Sequence, residues 1–128
     1  MTTCLVLLRR DVGIAILVAL AAAPAAACPI EPYDPDRIAA AIEKASSCKA
    51  AYDLMISCRR NTGGDVELAN AVTTRCERTF LTRGASARTK AYAEERAACA
   101  MKYAKRQGTM YASFQATCEA GVAVKYAR

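Results

Sequence analysis

The sequence contains no histidine and no tryptophan, and only two phenylalanines. Without histidine it lacks the commonest general base at neutral pH and the commonest protein metal ligand. Its cysteines include no Cys-x-x-Cys, which removes the usual dithiol-oxidoreductase motif and leaves no close pair suited to zinc. Ser46, Ser47 and Ser86 have no imidazole to activate them as nucleophiles. Asp53, Glu94 and Glu95 are the remaining acid/base candidates. Adjacent residues on a helix point about 100° apart, so Glu94 and Glu95 read as separate surface charges. The chain is therefore expected to be non-enzymatic, with no cofactor and no bound metal. Four prolines and six glycines in 128 residues are too few for a disordered chain, and the length suits one domain.

The N-terminal region carries a transport signature. Val12 to Ala23 are apolar apart from Gly13, follow the pair Arg9-Arg10, and lead into Pro24-Ala25-Ala26-Ala27 before Cys28. This is a secretory signal layout, with small residues at the cleavage positions and the cut between Ala27 and Cys28. The stretch is short for a membrane span, which needs about 20 apolar residues. A twin-arginine route serves proteins folded before export, whereas disulfides form after it, so ordinary export is the expectation. Ala25-Ala26-Ala27-Cys28 also has the outline of a lipoprotein box, with Ala where Leu is usual. Membrane attachment is expected only if the signal stays uncleaved or Cys28 is acylated. The predicted organisation is a signal at 1–27, an extended lead-in at 28–35 and a helical domain at 36–128, in the periplasm or outside the cell.

Removing the signal leaves Cys28, Cys48, Cys58, Cys76, Cys99 and Cys118. An even number in an exported chain reads as a disulfide framework, and lipid on Cys28 would orphan one thiol.

Helical signals dominate the remainder. Asp34 can cap a helix with Pro35 at its first position, and Ile38, Ile42, Ala45, Tyr52 and Met55 recur at helical spacing towards Arg60. Ser46-Ser47 offers a point of interruption. A second helix is predicted from Asp65 to Gly84, with Val66, Ala69, Val72, Cys76 and Phe80 on one side. A third is capped by Ser86, runs to Arg106 with the stripe Tyr92, Arg96, Cys99 and Tyr103, and stops at Gly108. Thr109 can cap a fourth, on which Met110, Phe114, Cys118, Val122 and Tyr126 share a face and Gly121 marks a close contact or an early end. Nothing shows the two-residue alternation of a strand. The predicted fold is an all-α bundle of about four helices ending in an antiparallel helical hairpin.

Cys99 lies nine residues before Gly108 and Cys118 ten after it, so the hairpin sets them level and predicts their pairing. Cys48 and Cys58 on one straight helix would stand about 15 Å apart, beyond bridging distance. They can pair only if that helix breaks. Cys48 and Cys76 are symmetric about Gly63-Gly64, which would leave Cys28 to join Cys58. Both maps remain open at this level.

Tyr92, Arg96 and Cys99, followed by Gly108-Thr109 and Cys118, form a cadence that resembles the C-terminal hairpin of the LprI-type lysozyme-inhibitor family of small exported bacterial proteins. Asp65-x-Glu67-Leu68-x-Asn70 is similar to that family's Asp-x-x-Leu-Asn stretch, and Cys48 and Cys58 to its early cysteine pair. Tyr92 stands where Trp is usual, the Thr and Arg expected after the last cysteine are absent as such, and Cys28 and Cys76 are additional. The resemblance spans residues 48–128 and implies a disulfide-linked helical hairpin whose partner is lysozyme or another envelope protein.

Candidate interaction residues are Tyr92, Arg96, Lys102, Tyr103, Lys105, Arg106 and Tyr111. Each has a structural counterpart reading: Arg96 stacked on Tyr92, and Lys102, Lys105 and Arg106 complementing a helix C-terminus. Removing residues 1–27 takes away Arg9, Arg10 and Asp11, leaving a net charge of +5. Such a chain is repelled at long range by a cationic lysozyme unless Asp34, Asp36, Asp53, Asp65 and Glu67 form an acidic patch. The alternative partners are anionic envelope polymers or lipid headgroups, which suit the charge. Nucleic acid suits the charge but not the compartment.

About 100 residues hide only about 60–65% of their unfolded surface, so bridges worth about 2–4 kcal/mol each rival the whole net stability. Excess reductant is expected to abolish the cooperative thermal transition of the oxidised chain. A calorimetric transition that survives full reduction would contradict that dependence.

Overall fold

The computed structural model describes residues 27–81, 84 and 86–128. The predicted signal segment lies outside the described residues apart from Ala27. Among the described residues the fold is all-α, with α1 at Pro35–Glu43, α2 at Cys48–Cys58, α3 at Asp65–Glu77, α4 at Ala87–Tyr103 and α5 at Thr109–Tyr126. No helix of this set is long and apolar enough to cross a membrane.

The predicted first helix is two helices. Asp34 starts α1 by accepting hydrogen bonds from the Asp36 and Arg37 amides, with Pro35 at the first helical position. Ser47 then takes an extended conformation and its hydroxyl accepts from the Ala50 amide, opening α2 at Cys48. Cys48 and Cys58 consequently begin and end one straight helix. The second predicted helix stops at Glu77, seven residues short of Gly84. There the Thr79 amide and hydroxyl both take the Cys76 carbonyl, drawing the chain into a tight turn.

α4 opens on a capping box between Ser86 and Thr89 and ends at Tyr103 rather than Arg106. Gly108 has φ of +107°, a conformation that suits glycine, and is the residue from which α5 departs. Thr109 is thus the first helical residue and not the cap.

α3 is the central helix, packed against α1, α2 and α5, while α4 rests on α5. The fully buried large aliphatics are Ile38, Ile42, Met55, Leu68 and Val72. α5 faces this core with Ser113, Thr117, Ala120, Ala123 and Val124. Its larger row of Met110, Phe114, Cys118, Val122 and Tyr126 is left only partly covered or exposed. Small side chains let α5 approach α3 closely. Gly121 serves the same end towards α2, since the Tyr52 hydroxyl lies 3.5 Å from where its Cβ would stand.

Asp65 explains why α5 turns that face inward. Its carboxylate is fully buried at the first position of α3. One oxygen accepts from the Arg60 amide at 2.9 Å, the other from the Thr62 amide at 3.1 Å and the Ser113 hydroxyl at 2.7 Å. The side chain therefore shapes the 59–64 connection and ties it to α5. Burial of a carboxylate is tolerated when donors satisfy it in this way.

Among the described residues two disulfides are closed. Cys28 joins Cys58, fastening the lead-in to the end of α2, and Cys99 joins Cys118 across the α4–α5 hairpin. With 30 and 19 residues of separation, each removes about 3–4 kcal/mol of unfolded-chain freedom. Cys48 and Cys76 are thiols.

Asp65→Ala is expected to lower the unfolding free energy by about 3–5 kcal/mol, because it removes three hydrogen bonds to a carboxylate and leaves the buried Ser113 hydroxyl unpaired, at about 1–3 kcal/mol. Ser113→Ala, which removes a single bond, should cost about 1 kcal/mol. Urea titrations measure both, and a Ser113→Ala loss equal to that of Asp65→Ala would refute the ordering.

Candidate functional site

The seven interaction residues singled out in the sequence fall into two separate places. Tyr92 and Arg96 belong to a network that joins α3, α4 and α5. The Tyr92 hydroxyl donates to Glu77 Oε1 at 2.6 Å. Arg96 donates through Nη1 to the same oxygen at 3.0 Å and through Nη2 to Glu119 Oε2 at 2.6 Å. Gln115 Nε2 donates to the other Glu119 oxygen.

The Tyr92 ring is buried edge-on to Phe80, with centroids 4.9 Å apart, and lies 5.4 Å from the Tyr126 ring. Burial first, and then the bond to Glu77, push its phenol above the ordinary tyrosine range. Burial is the largest influence and opposes the Arg96 charge, but the Glu119 bond together with the charges of Tyr92, Glu119 and Glu77 outweighs it, and the guanidinium pKa is raised. A groove of about 490 Å³ runs alongside, floored by Ala93, Ala97 and Arg96. With both carboxylates engaged by one guanidinium, this network holds helices together.

Lys102, Tyr103, Lys105, Arg106 and Tyr111 surround the α4–α5 turn. Lys102, Lys105 and Arg106 are exposed, and among the described residues none of the three forms an ion pair. Their charges lie over rings instead: Lys102 Nζ is 5.4 Å from the Tyr103 centroid and the Arg106 guanidinium 5.6 Å from that of Tyr111. Phe114 packs between those tyrosines, 6.3 Å from one and 6.2 Å from the other. Two apolar side chains flank the cations, Met101 at 77% exposure and Met110 at 43%.

Two more cations lie at this end. Gly63 sits against Thr109, which brings the α2–α3 connection beside the start of α5. Arg59 lines a hollow of about 230 Å³ with Tyr103 and Phe114, and Arg60 lies 3.7 Å over the Tyr33 ring. Arg59 and Arg60 were not among the sequence candidates. The signal for the wider surface was an absence: no carboxylate occurs between Arg96 and Cys118.

The acidic candidates are dispersed. Asp53 pairs with Lys49 at 2.6 Å, Glu94 with Lys90 at 3.9 Å and Glu95 with Lys125 at 2.7 Å. Lys125 first, and then the Tyr126 hydroxyl, hold the Glu95 carboxyl below the usual range. Ser47 and Ser86 serve as helix caps. Of the five residues considered for an acidic patch, Asp34 caps α1, Asp53 is paired and Asp65 is buried, leaving Asp36 and Glu67. No cluster of potential metal ligands occurs among the described residues.

The described residues form a disulfide-linked bundle of five helices with a basic, aromatic end. No protein-family model, curated protein or solved structure matches the chain.

The shifted groups give a pH dependence. Tyr92 is raised above its ordinary value of 10.0 and Cys76 above 9.0, so the unfolded chain releases these protons before the folded chain does. The stability they contribute is complete below pH 9 and is lost as pH rises through 10 and beyond. Tyr92→Phe is expected to cost about 1 kcal/mol at neutral pH and to flatten the decline above pH 10. Denaturation midpoints measured between pH 7 and 11 test this, and an unchanged alkaline slope would count against it.

Proposed function

We propose that the chain is a non-enzymatic exported interaction module whose basic end binds anionic envelope material. The observation that carries this is the partition of charge: most carboxylates are buried, capping or ion-paired, while Lys102, Lys105 and Arg106 have no carboxylate partner among the described residues. Arg59 and Arg60 enlarge the same surface. Five cations over one helical end attract a polyanion or a layer of phosphate headgroups, at about 1 kcal/mol per basic residue near an anionic surface. Met101 and Met110 provide apolar contact beside them.

Export supports the compartment. Disulfides belong to oxidising environments, and the apolar N-terminal segment with its small-residue boundary supplies a route there. The bond between Cys28 and Cys58 occupies the sulfur that lipidation would need, which favours a soluble periplasmic or secreted form. Lysozyme inhibition, which the family resemblance raises, would require acidic groups presented to a cationic enzyme. The dispersal of Asp34, Asp53 and Asp65 into other roles leaves little to present.

The oxidised chain is expected to bind phosphatidylglycerol-containing vesicles or dextran sulfate at low salt, with affinity falling steeply as ionic strength rises. Replacing Lys102, Lys105 and Arg106 together by alanine should weaken binding about 100-fold, from about 1 kcal/mol for each cation. The pair Arg37→Ala and Lys44→Ala should change it little. Equal losses in both variants, or saturable inhibition of a lysozyme by a chain that binds neither anionic probe, would overturn the reading.

A further inference from the structure

At the other end of α2 and α3 lies a second sulfur pair that the framework does not use. The two helices run antiparallel about the 59–64 connection. Cys48 opens α2, ten residues before Cys58, and Cys76 lies eleven residues after Asp65, so equal helical rise brings them level. Arg75 donates to the Ala45 carbonyl at 2.9 Å, binding the end of α3 to the segment that leads into α2. Arg75 and Thr79, on either side of Cys76, line the same recess as Cys48, a cavity of about 360 Å³. Cys48 is partly exposed there and Cys76 is fully buried behind it.

We propose that Cys48 and Cys76 are an oxidisable dithiol that closes a third disulfide by exchange with a small disulfide entering this recess, with Cys48 as the entry thiol. Cys48 gives its proton to solvent and attacks one sulfur of, for example, oxidised glutathione. A Cys48–glutathione bond forms, the glutathione S–S bond breaks, and one glutathione leaves as a thiolate that takes up a proton. Cys76 then loses its proton and attacks Cys48 Sγ, expelling the second glutathione. Two electrons pass from the cysteine pair to one glutathione disulfide, giving two thiols.

The order follows from access. An external disulfide reaches Cys48 through the recess but cannot reach Cys76. Burial, and then the Cys48 thiol against it, also hold Cys76 in its protonated form, so it acts only once its neighbour presents an activated sulfur. The bond would fasten the start of α2 to the end of α3, a contact that the existing bridges at Cys58 and Cys99 do not reach.

The test is oxidation of the exported chain with oxidised glutathione, followed by denaturation, N-ethylmaleimide trapping and mass analysis. The expected product takes up no maleimide, and its non-reduced tryptic digest contains residues 45–49 joined to residues 76–78. Cys76→Ser should stop at a lasting glutathione adduct on Cys48, and Cys48→Ser should leave Cys76 unmodified until the protein is denatured. If Cys76→Ser does not fold, the wild-type digest and Cys48→Ser still decide the matter. Two maleimides after oxidation, a lasting adduct on Cys48 with Cys76 still trapped, or modification of Cys76 in folded Cys48→Ser would each overturn the proposal.

Discussion

Asp65 is the point on which the 59–64 connection and the packing of α5 on the central helix depend. A short carboxylate at the first turn of α3 turns backward to two amides of the preceding connection and sideways to the Ser113 hydroxyl of α5. Burying a charge in this way is tolerable only because donors replace the water it gives up. The requirement then propagates. Ser113 must face α3, so Thr117, Ala120 and Val124, which follow at helical spacing, face it too, and α5 lies close to α3 over its length. The same interaction holds the 59–64 connection against the start of α5. It thereby sets Arg59 and Arg60 at the end of the bundle that carries Lys102, Lys105 and Arg106.

Charge in this protein is sorted by structural use rather than by composition. Arg96 occupies Glu77 and Glu119, Lys125 occupies Glu95, and Lys49 occupies Asp53. The exposed pairs Lys49–Asp53 and Lys125–Glu95 contribute little stability. Their electrostatic consequence is larger, because each paired carboxylate is removed from the surface field while, among the described residues, the cations at the α4–α5 turn have no carboxylate partner. The chain's excess of basic residues thus includes a group gathered at the α4–α5 turn, and the aromatic rings beneath it keep the charges near a surface that can also make apolar contact.

Features governed by nearby residues were readable from the sequence. The caps at Asp34 and Ser86, and the level placement of Cys99 and Cys118 about Gly108, depend on a few neighbours or on helical rise alone. The division at Ser47 was visible only as a possible interruption, since the serine cap competes with continuous helical spacing on both sides. The orientation of α5 was not readable, because the row of Met110, Phe114 and Val122 is the more hydrophobic one. A buried hydrogen bond from a residue 48 positions away chose the smaller row instead. Tyr92 and Arg96 lie on the same helix as Lys102 yet belong to a different place in the structure. Their separation follows from Glu77 and Glu119, which arrive from other helices.

The sulfur chemistry divides along the same axis as the charge. Cys58 immediately precedes Arg59, and Cys99 lies one turn before Lys102, so both closed bridges brace the basic end. The remaining thiols stand at the opposite end, where α2 begins and α3 finishes. In the proposed binding role, a rigid presentation of charge would limit the ordering cost of meeting a partner. Sulfur that is not needed for that purpose can change oxidation state at the far end while the geometry of the cations is held by bonds that do not take part. The antiparallel packing of α2 and α3 makes this separation possible, because it sets one end of the pair beside α5's first turn and the other beside its last.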